Sequence, residues 1–173
     1  MRRGLDRLYN AAAILAAFFL IATLVMVLTG IAGRLFNFYL RGTDAYAGYC
    51  MAAASFFALA HTLRRGEHIR VTLILDRLGP RPRFVLEVWC YSVAVFLAGA
   101  IAYFSVRLAW QSYTFNDISQ GNDATPLWLP QLTMAAGTIV LCIAFVDALV
   151  ELVRTGRVSG DAAAGAAGPA HIE

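Results

Sequence analysis

The stretch AAAILAAFFLIATLVMVLTGIAG, residues 11–33, decides the fold. It contains no ionisable side chain, and it exceeds the roughly 20 predominantly apolar residues that a helix needs to cross the hydrocarbon core of a bilayer. The apolar core of a secretory signal is shorter, about 7 to 15 residues. The stretch is therefore predicted to be a retained membrane span.

The rest of the chain repeats this pattern in residues 45–63, 84–108 and 127–153. Overall, 60% of the residues are hydrophobic and 14% are charged, against about 25% charged in a typical soluble domain. A backbone in lipid must satisfy its hydrogen bonds within its own segment. We therefore predict an all-α polytopic membrane protein with four transmembrane helices in residues 1–158, followed by a disordered cytoplasmic tail over 159–173.

The arginines set the predicted orientation. All fourteen basic residues are arginine, and with a cytoplasmic N-terminus eleven of them lie on the cytoplasmic side and only Arg34, Arg41 and Arg107 on the other. The positive-inside bias then predicts that both termini are cytoplasmic, in a bacterial inner membrane. Because these arginines flank the spans and face anionic headgroups of the lipid bilayer, the net charge of +3 does not indicate nucleic-acid binding.

The loop between the second and third spans, RRGEHIRVTLILDRLGPRPR, is predicted to contain a short interfacial helix. Its apolar residues Val71, Ile74, Leu75 and Leu78 follow the i, i+3, i+4, i+7 spacing of an amphipathic helix, which would lie in the plane of the interface. The alternative is a basic loop that serves topology alone; the apolar stripe favours the helix. The candidate residues of this interfacial brace are Arg64, Arg65, Glu67, His68, Arg70, Val71, Ile74, Leu75, Leu78, Arg81 and Arg83.

The start of the fourth span, PLWLPQ, places a tryptophan between two prolines at the opposite boundary of the membrane. Prolines are tolerated in a first helical turn, and aromatic residues collect at membrane interfaces. Anchoring alone would explain these residues; contact with a partner is a further hypothesis. The candidate rim and anchor residues are Trp110, Tyr113, Asp117, Asp123, Pro126, Trp128 and Pro130.

Catalytic patterns are missing from the sequence. The bilayer centre carries no ionisable residue, and Glu87, Asp147 and Glu151 fall near the cytoplasmic boundary, where ion pairing with Arg64, Arg65 and Arg154 is expected. The histidines are unsuited to hold haem between spans, and the three cysteines form no Cys-x-x-Cys pair. We therefore expect no enzyme activity, no cofactor and no bound metal, and predict an accessory or scaffolding membrane subunit.

Residues 64–83 and 126–131, in register with four spans, resemble the small permease subunit of tripartite ATP-independent periplasmic (TRAP) transporters, the DctQ-like group. Members often carry Asp after the HIRV element, where this chain has Thr72. The resemblance implies a scaffold for a large permease subunit, which takes up a small organic acid from a periplasmic substrate-binding protein by ion-gradient-driven symport. It also implies that specificity resides in those two partners.

Two alternatives belong to other classes. An autonomous four-span small-molecule exporter normally needs an acidic residue in its first span, and residues 11–33 have none. A small membrane redox protein would need a bound chromophore or a reactive thiol pair.

Overall fold

The computed structural model describes residues 2–37, 41–64, 80–121 and 123–155. They form four helices: α1 (Arg2–Leu35), α2 (Thr43–Arg64), α3 (Pro80–Thr114) and α4 (Trp128–Thr155). The all-α prediction is confirmed. The helices α1 and α3 extend beyond the predicted apolar spans at both ends, because a helix can continue into the headgroup layer after its apolar stretch has ended.

The helices form two antiparallel hairpins joined along their inner members. The first hairpin pairs α1 with α2, and the second pairs α3 with α4. The two hairpins meet mainly through α2 and α4, with a minor contact between α1 and α4. We call the end at which α1 turns into α2 and α3 connects to α4 the hairpin end. The inner helices are thus α2 and α4, and the outer helices are α1 and α3.

Small side chains make the contacts between the helices. Most of the buried apolar residues in the described chain are alanines. One cluster joins Tyr9, Ala60 and Ala144 of three helices, and a second joins Ala12, Ala16 and Phe57. Small residues let helix backbones approach closely in lipid, where apolar burial gives little driving force for association.

Large apolar side chains point outward instead. On the outer helices Ile14 is 70% exposed and Phe96 is 73% exposed. Within the described residues, three helical segments are long and apolar enough to cross a membrane: Gly4–Leu35, Pro82–Thr114 and Trp128–Arg154. They correspond to three of the four predicted spans.

The helix α2, which contains the remaining predicted span, has no stretch that is as apolar as those three segments. It holds tyrosines, glycines, a histidine and many alanines, and its buried residues Phe57 and Ala60 pack between α1 and α4. The predicted interfacial helix around residues 71–78 and the predicted tail over 159–173 lie outside the described residues.

Candidate functional site

The connection from α3 to α4 closes on itself at the hairpin end. Beyond Thr114 the backbone N–H of Asp117 donates to the carbonyl of Ser112 at 3.0 Å, while Asn116 adopts a left-handed φ of 52°, as is common just after a helix. The chain then doubles back. The N–H of Ser119 donates to the carbonyl of Thr125 at 2.8 Å, and that of Leu127 donates to Asp117 at 3.0 Å.

The carboxylate of Asp123 joins this connection to α2. The hydroxyl of Ser119 donates to Oδ1 of Asp123 at 2.9 Å. From α2, the hydroxyl of Tyr49 donates to Oδ2 at 3.2 Å and lies 3.1 Å from the Ser119 Oγ. Asp123 is thus held by its own loop and by a side chain that lies 74 positions away in the sequence.

A second tyrosine of α2 reaches the same carboxylate indirectly. The side chain of Thr125 hydrogen-bonds Asp123, and the Thr125 Oγ1 lies within hydrogen-bonding distance, 3.0 Å, of the Tyr46 hydroxyl. We call Tyr46, Tyr49, Ser119, Asp123 and Thr125 the Asp123 clamp.

Hydrogen bonds from the clamp favour the ionised form of Asp123 and lower its pKa. The bond from Thr125 has the largest effect on the Asp123 pKa, and with those from Ser119 and Tyr49 it lowers that pKa below its ordinary value near 3.8. Partial burial opposes the shift by raising the pKa. The net lowering follows from the general rule that donors aimed at a carboxylate favour its charged form.

A glycine in the turn between α1 and α2 makes room for the clamp. Gly42 has a φ of +83°, and a Cβ atom on it would lie 2.7 Å from the Cβ of Asp123 and 3.3 Å from the ring of Tyr46. Both the backbone conformation and the space therefore require glycine. Three segments meet here: the turn between α1 and α2, the first turns of α2, and the connection between α3 and α4.

A salt bridge also spans the turn between α1 and α2. The Nη2 atom of Arg34 lies 3.1 Å from Oδ2 of Asp44. The side chains are 75% and 82% exposed, and an exposed pair of this kind contributes little stability. The clamp is therefore the more extensive polar contact at this end.

The predicted rim residues separate into two groups. Trp110, Tyr113 and Asp117 are exposed, and the rings of Trp110 and Tyr113 lie 6.5 Å apart. Trp128 packs edge-to-face on Tyr113 at 5.8 Å. In contrast, the carboxylate of Asp123 is directed towards α2 in the clamp.

The two predicted prolines lie just before α4 and in its first turn. Pro126 pairs with Ile118 in a single antiparallel bridge, and Pro130 lies in the first turn of α4. The sequence alone did not connect Asp123 with Tyr46, Tyr49, Ser119 or Thr125. No local pattern indicates the two tyrosine contacts, because both cross more than 65 residues of sequence.

The opposite end of the bundle holds the one brace candidate whose side chain is described. The Nε of Arg83 donates to Oε1 of Glu87 at 3.1 Å, one helical turn along α3, and the Glu87 side chain is only 11% exposed. Glu87 therefore takes part in an ion pair with Arg83, while the side chains of the predicted partners Arg64 and Arg65 lie outside the described part of the chain. Asp147 and Glu151 are half-buried on α4. The other brace candidates have side chains outside the described part of the chain.

In the described residues, the side chains that could bind a metal and the cysteine thiols lie apart from one another. Within them, no three His, Cys, Asp or Glu side chains lie together in a way that could hold a metal ion. Cys50, Cys90 and Cys142 are free thiols on three different helices. At the hairpin end, the side chains of the Asp123 clamp hydrogen-bond to one another instead.

Comparison with known proteins identifies the family. The family model described as "Tripartite ATP-independent periplasmic transporters, DctQ component" matches residues 22–155. The C4-dicarboxylate TRAP transporter small permease protein DctQ of Rhodobacter capsulatus is 26% identical over 102 residues, which cover 58% of this chain and 44% of that relative. The alignment thus spans less than half of the relative's length. The family match includes α1 from residue 22 onward and all of α2, α3 and α4, and the chain therefore belongs to the DctQ component family of the TRAP transporters.

Proposed function

We propose that this chain is the small membrane subunit that scaffolds the large permease of a TRAP transporter. The complex would use an ion gradient to take up a small organic acid, delivered by a periplasmic binding protein. The family match over residues 22–155 carries this proposal. The name of the Rhodobacter relative points to C4-dicarboxylates as one substrate class to test.

The distribution of apolar surface supports a scaffolding role. The inner contacts consist largely of alanines and one glycine, while the outer helices expose large side chains along most of their length. Such a bundle offers wide outer walls to lipid and to another membrane protein. The described core contains the hydroxyls of Ser105, Ser112 and Thr138 as its buried polar side chains, and hydroxyls do not carry charge through a membrane by ionising.

We further propose that all four helices cross the membrane and that both termini are cytoplasmic. The packing of α2 supports this topology, because α2 runs beside α1 from Ala60 at Tyr9 to Thr43 at Gly30. Its 22 residues would measure about 33 Å at the helical rise, enough for the hydrocarbon core. Because α2 packs against both α1 and α4, less of its surface needs to face lipid than in an outer helix. The arginine distribution then places the hairpin end in the periplasm.

Purification from native membranes tests the proposal. The tagged chain, extracted in a mild detergent, is expected to bring down a much larger multispanning permease in stoichiometric amount, identified by mass spectrometry. Two double variants then compare the outer helices: Ile21→Ala with Leu28→Ala on α1, and Phe96→Ala with Phe104→Ala on α3. The double variant that no longer co-purifies with the permease identifies the helix that contacts it. Recovery of the chain alone, or only with copies of itself, would contradict the scaffold role.

A further inference from the structure

We propose that the Asp123 clamp is a conformational lock that ties the second helical hairpin to the first at the hairpin end. In this role Asp123 and the two tyrosines of α2 are positioning residues: they hold the connection between α3 and α4 in one conformation. The exposed residues of that connection are thereby held in fixed positions relative to the helices. The lock acts within this chain, so it stands or falls independently of the partner proposed above.

The need for a lock follows from how the hairpins meet. Along the bundle they contact each other mainly through α2 and α4, where Gly137 lies against Phe56 and small residues such as Ala60 and Ala144 pack beside Phe57 and Val140. Small side chains allow a close approach but offer few atoms for attraction. The clamp adds directional bonds between the hairpins at one end, from Tyr49 to Asp123 and between Tyr46 and Thr125.

Backbone geometry shows that the connection is held in a specific conformation. Ala124, directly after Asp123, has a left-handed φ of 47°, which residues other than glycine rarely adopt. Such a conformation persists where the surrounding contacts over-determine it. Here the bonds of Asp123 on one side and the pairing of Ile118 with Pro126 on the other supply those contacts.

Hydroxyl groups hold the carboxylate from both sides of the joint. From α2 it faces the hydroxyl of Tyr49, and from its own loop it faces Ser119 and Thr125. Nearby charged residues are engaged elsewhere or directed outward: Asp44 pairs with Arg34, while Asp117 and Arg41 are exposed. A carboxylate bound by hydroxyls is sensitive to the position of each donor, which suits a lock better than a long-range charge pair would.

Hydrogen exchange of the full-length chain in lipid nanodiscs tests the lock. The readouts are the amides of Ser119 and Leu127, which close the connection. Asp123→Asn and Tyr49→Phe are each expected to speed exchange at these amides by about tenfold, because the loop opens locally while the helices stay folded. The double variant is expected to match Asp123→Asn alone, because both changes remove the same contact.

Two substitutions outside the clamp serve as controls. Gln120→Ala changes an exposed side chain in the same connection, and Tyr103→Phe removes an exposed tyrosine hydroxyl from α3; neither should alter exchange at Ser119 or Leu127. Amides around Thr138 in the core of α4 should keep their protection in all variants. Unchanged loop exchange in Asp123→Asn would overturn the proposal. The milder variant Tyr49→Phe gives a second test. If the amides of α4 lose as much protection as those of the connection, the protein unfolds globally and the proposal is overturned.

Discussion

Gly137 of α4 lies directly against the backbone of Phe56 on α2. A Cβ atom on Gly137 would stand 2.6 Å from the Cβ of Phe56 and 2.9 Å from its carbonyl carbon. The obstacle is backbone and the first atom of a side chain, neither of which can move aside without shifting the helix. This contact sets the distance between the inner helices.

Gly137→Ala is therefore expected to separate the two hairpins. Overpacking a close contact typically costs about 1–3 kcal/mol, measured here as a lower midpoint in a denaturing-detergent titration. Gly48→Ala on the exposed face of α2 is the matched control, because nothing lies within 4 Å of the added methyl group, and it should be neutral or slightly stabilising. Equal effects of the two changes would contradict the assigned contact.

Gly42→Ala should disturb the hairpin end more than its small size suggests. The left-handed backbone costs an alanine roughly 1–2 kcal/mol, and the methyl group would also collide with Asp123. We expect a lower unfolding midpoint together with faster exchange of the Ser119 amide. Gly4→Ala, which has nothing within 4 Å, should leave both measurements unchanged.

Acid should open the clamp at Asp123. Its pKa is lowered in the folded chain by donors from Thr125, Ser119 and Tyr49, so its ionised form stabilises the fold at any pH above the ordinary value near 3.8. That contribution is lost as the pH falls through the lower folded-state pKa. Stability profiles of the wild type and Asp123→Asn should run parallel near neutral pH and converge below 3.8. A constant difference down to the lowest pH would count against this assignment.

A cysteine at position 117 should report on contact with the binding protein. The Asp117 side chain is exposed beside the aromatic pair of Trp110 and Tyr113, so in a chain whose native cysteines are replaced, Asp117→Cys should crosslink to the periplasmic protein. Met51→Cys, exposed on α2 within its apolar stretch, should not. Absence of a crosslink at 117 under conditions that support uptake would argue against docking at this rim.

The predicted interfacial brace can be tested by function. Replacing Ile74, Leu75 and Leu78 together with serine removes the apolar face expected to lie in the membrane interface, and should lower assembly with the large subunit or the uptake rate. Thr72→Ser, which leaves that face intact, should have no effect. Unchanged uptake by the triple variant at equal expression would refute the brace.

Much of the fold could be predicted because it depends on local pattern. The uninterrupted apolar stretch over residues 11–33 predicts a helix whatever surrounds it, and the structure places it inside α1. The ends of α1 and α3 were less predictable, since residues such as Arg83 can remain helical when paired with Glu87 one turn away. Helix limits depend on such side-chain bonds as well as on apolarity.

The hairpin end was only partly predictable, because some of its contacts are local in sequence and others join distant segments. Exposed aromatic residues such as Trp110 follow from their position at a span boundary, and the structure leaves this side chain outside. The role of Asp123 depends on Tyr49, which is distant in sequence and has its own local explanation as an interfacial aromatic residue. The sequence alone does not distinguish a loop aspartate that hydrogen-bonds to a neighbouring helix from one that faces water. The packing of the two hairpins is needed to tell them apart.

The length of α3 has a consequence for how far it reaches. Its 35 residues, Pro80–Thr114, would measure about 52 Å at the helical rise, longer than the about 40–45 Å of a whole bilayer with its headgroups. Even tilted by the usual 20° or so, α3 would extend through both headgroup layers. One uninterrupted helix thus joins the Arg83–Glu87 pair near one end to Trp110 near the other.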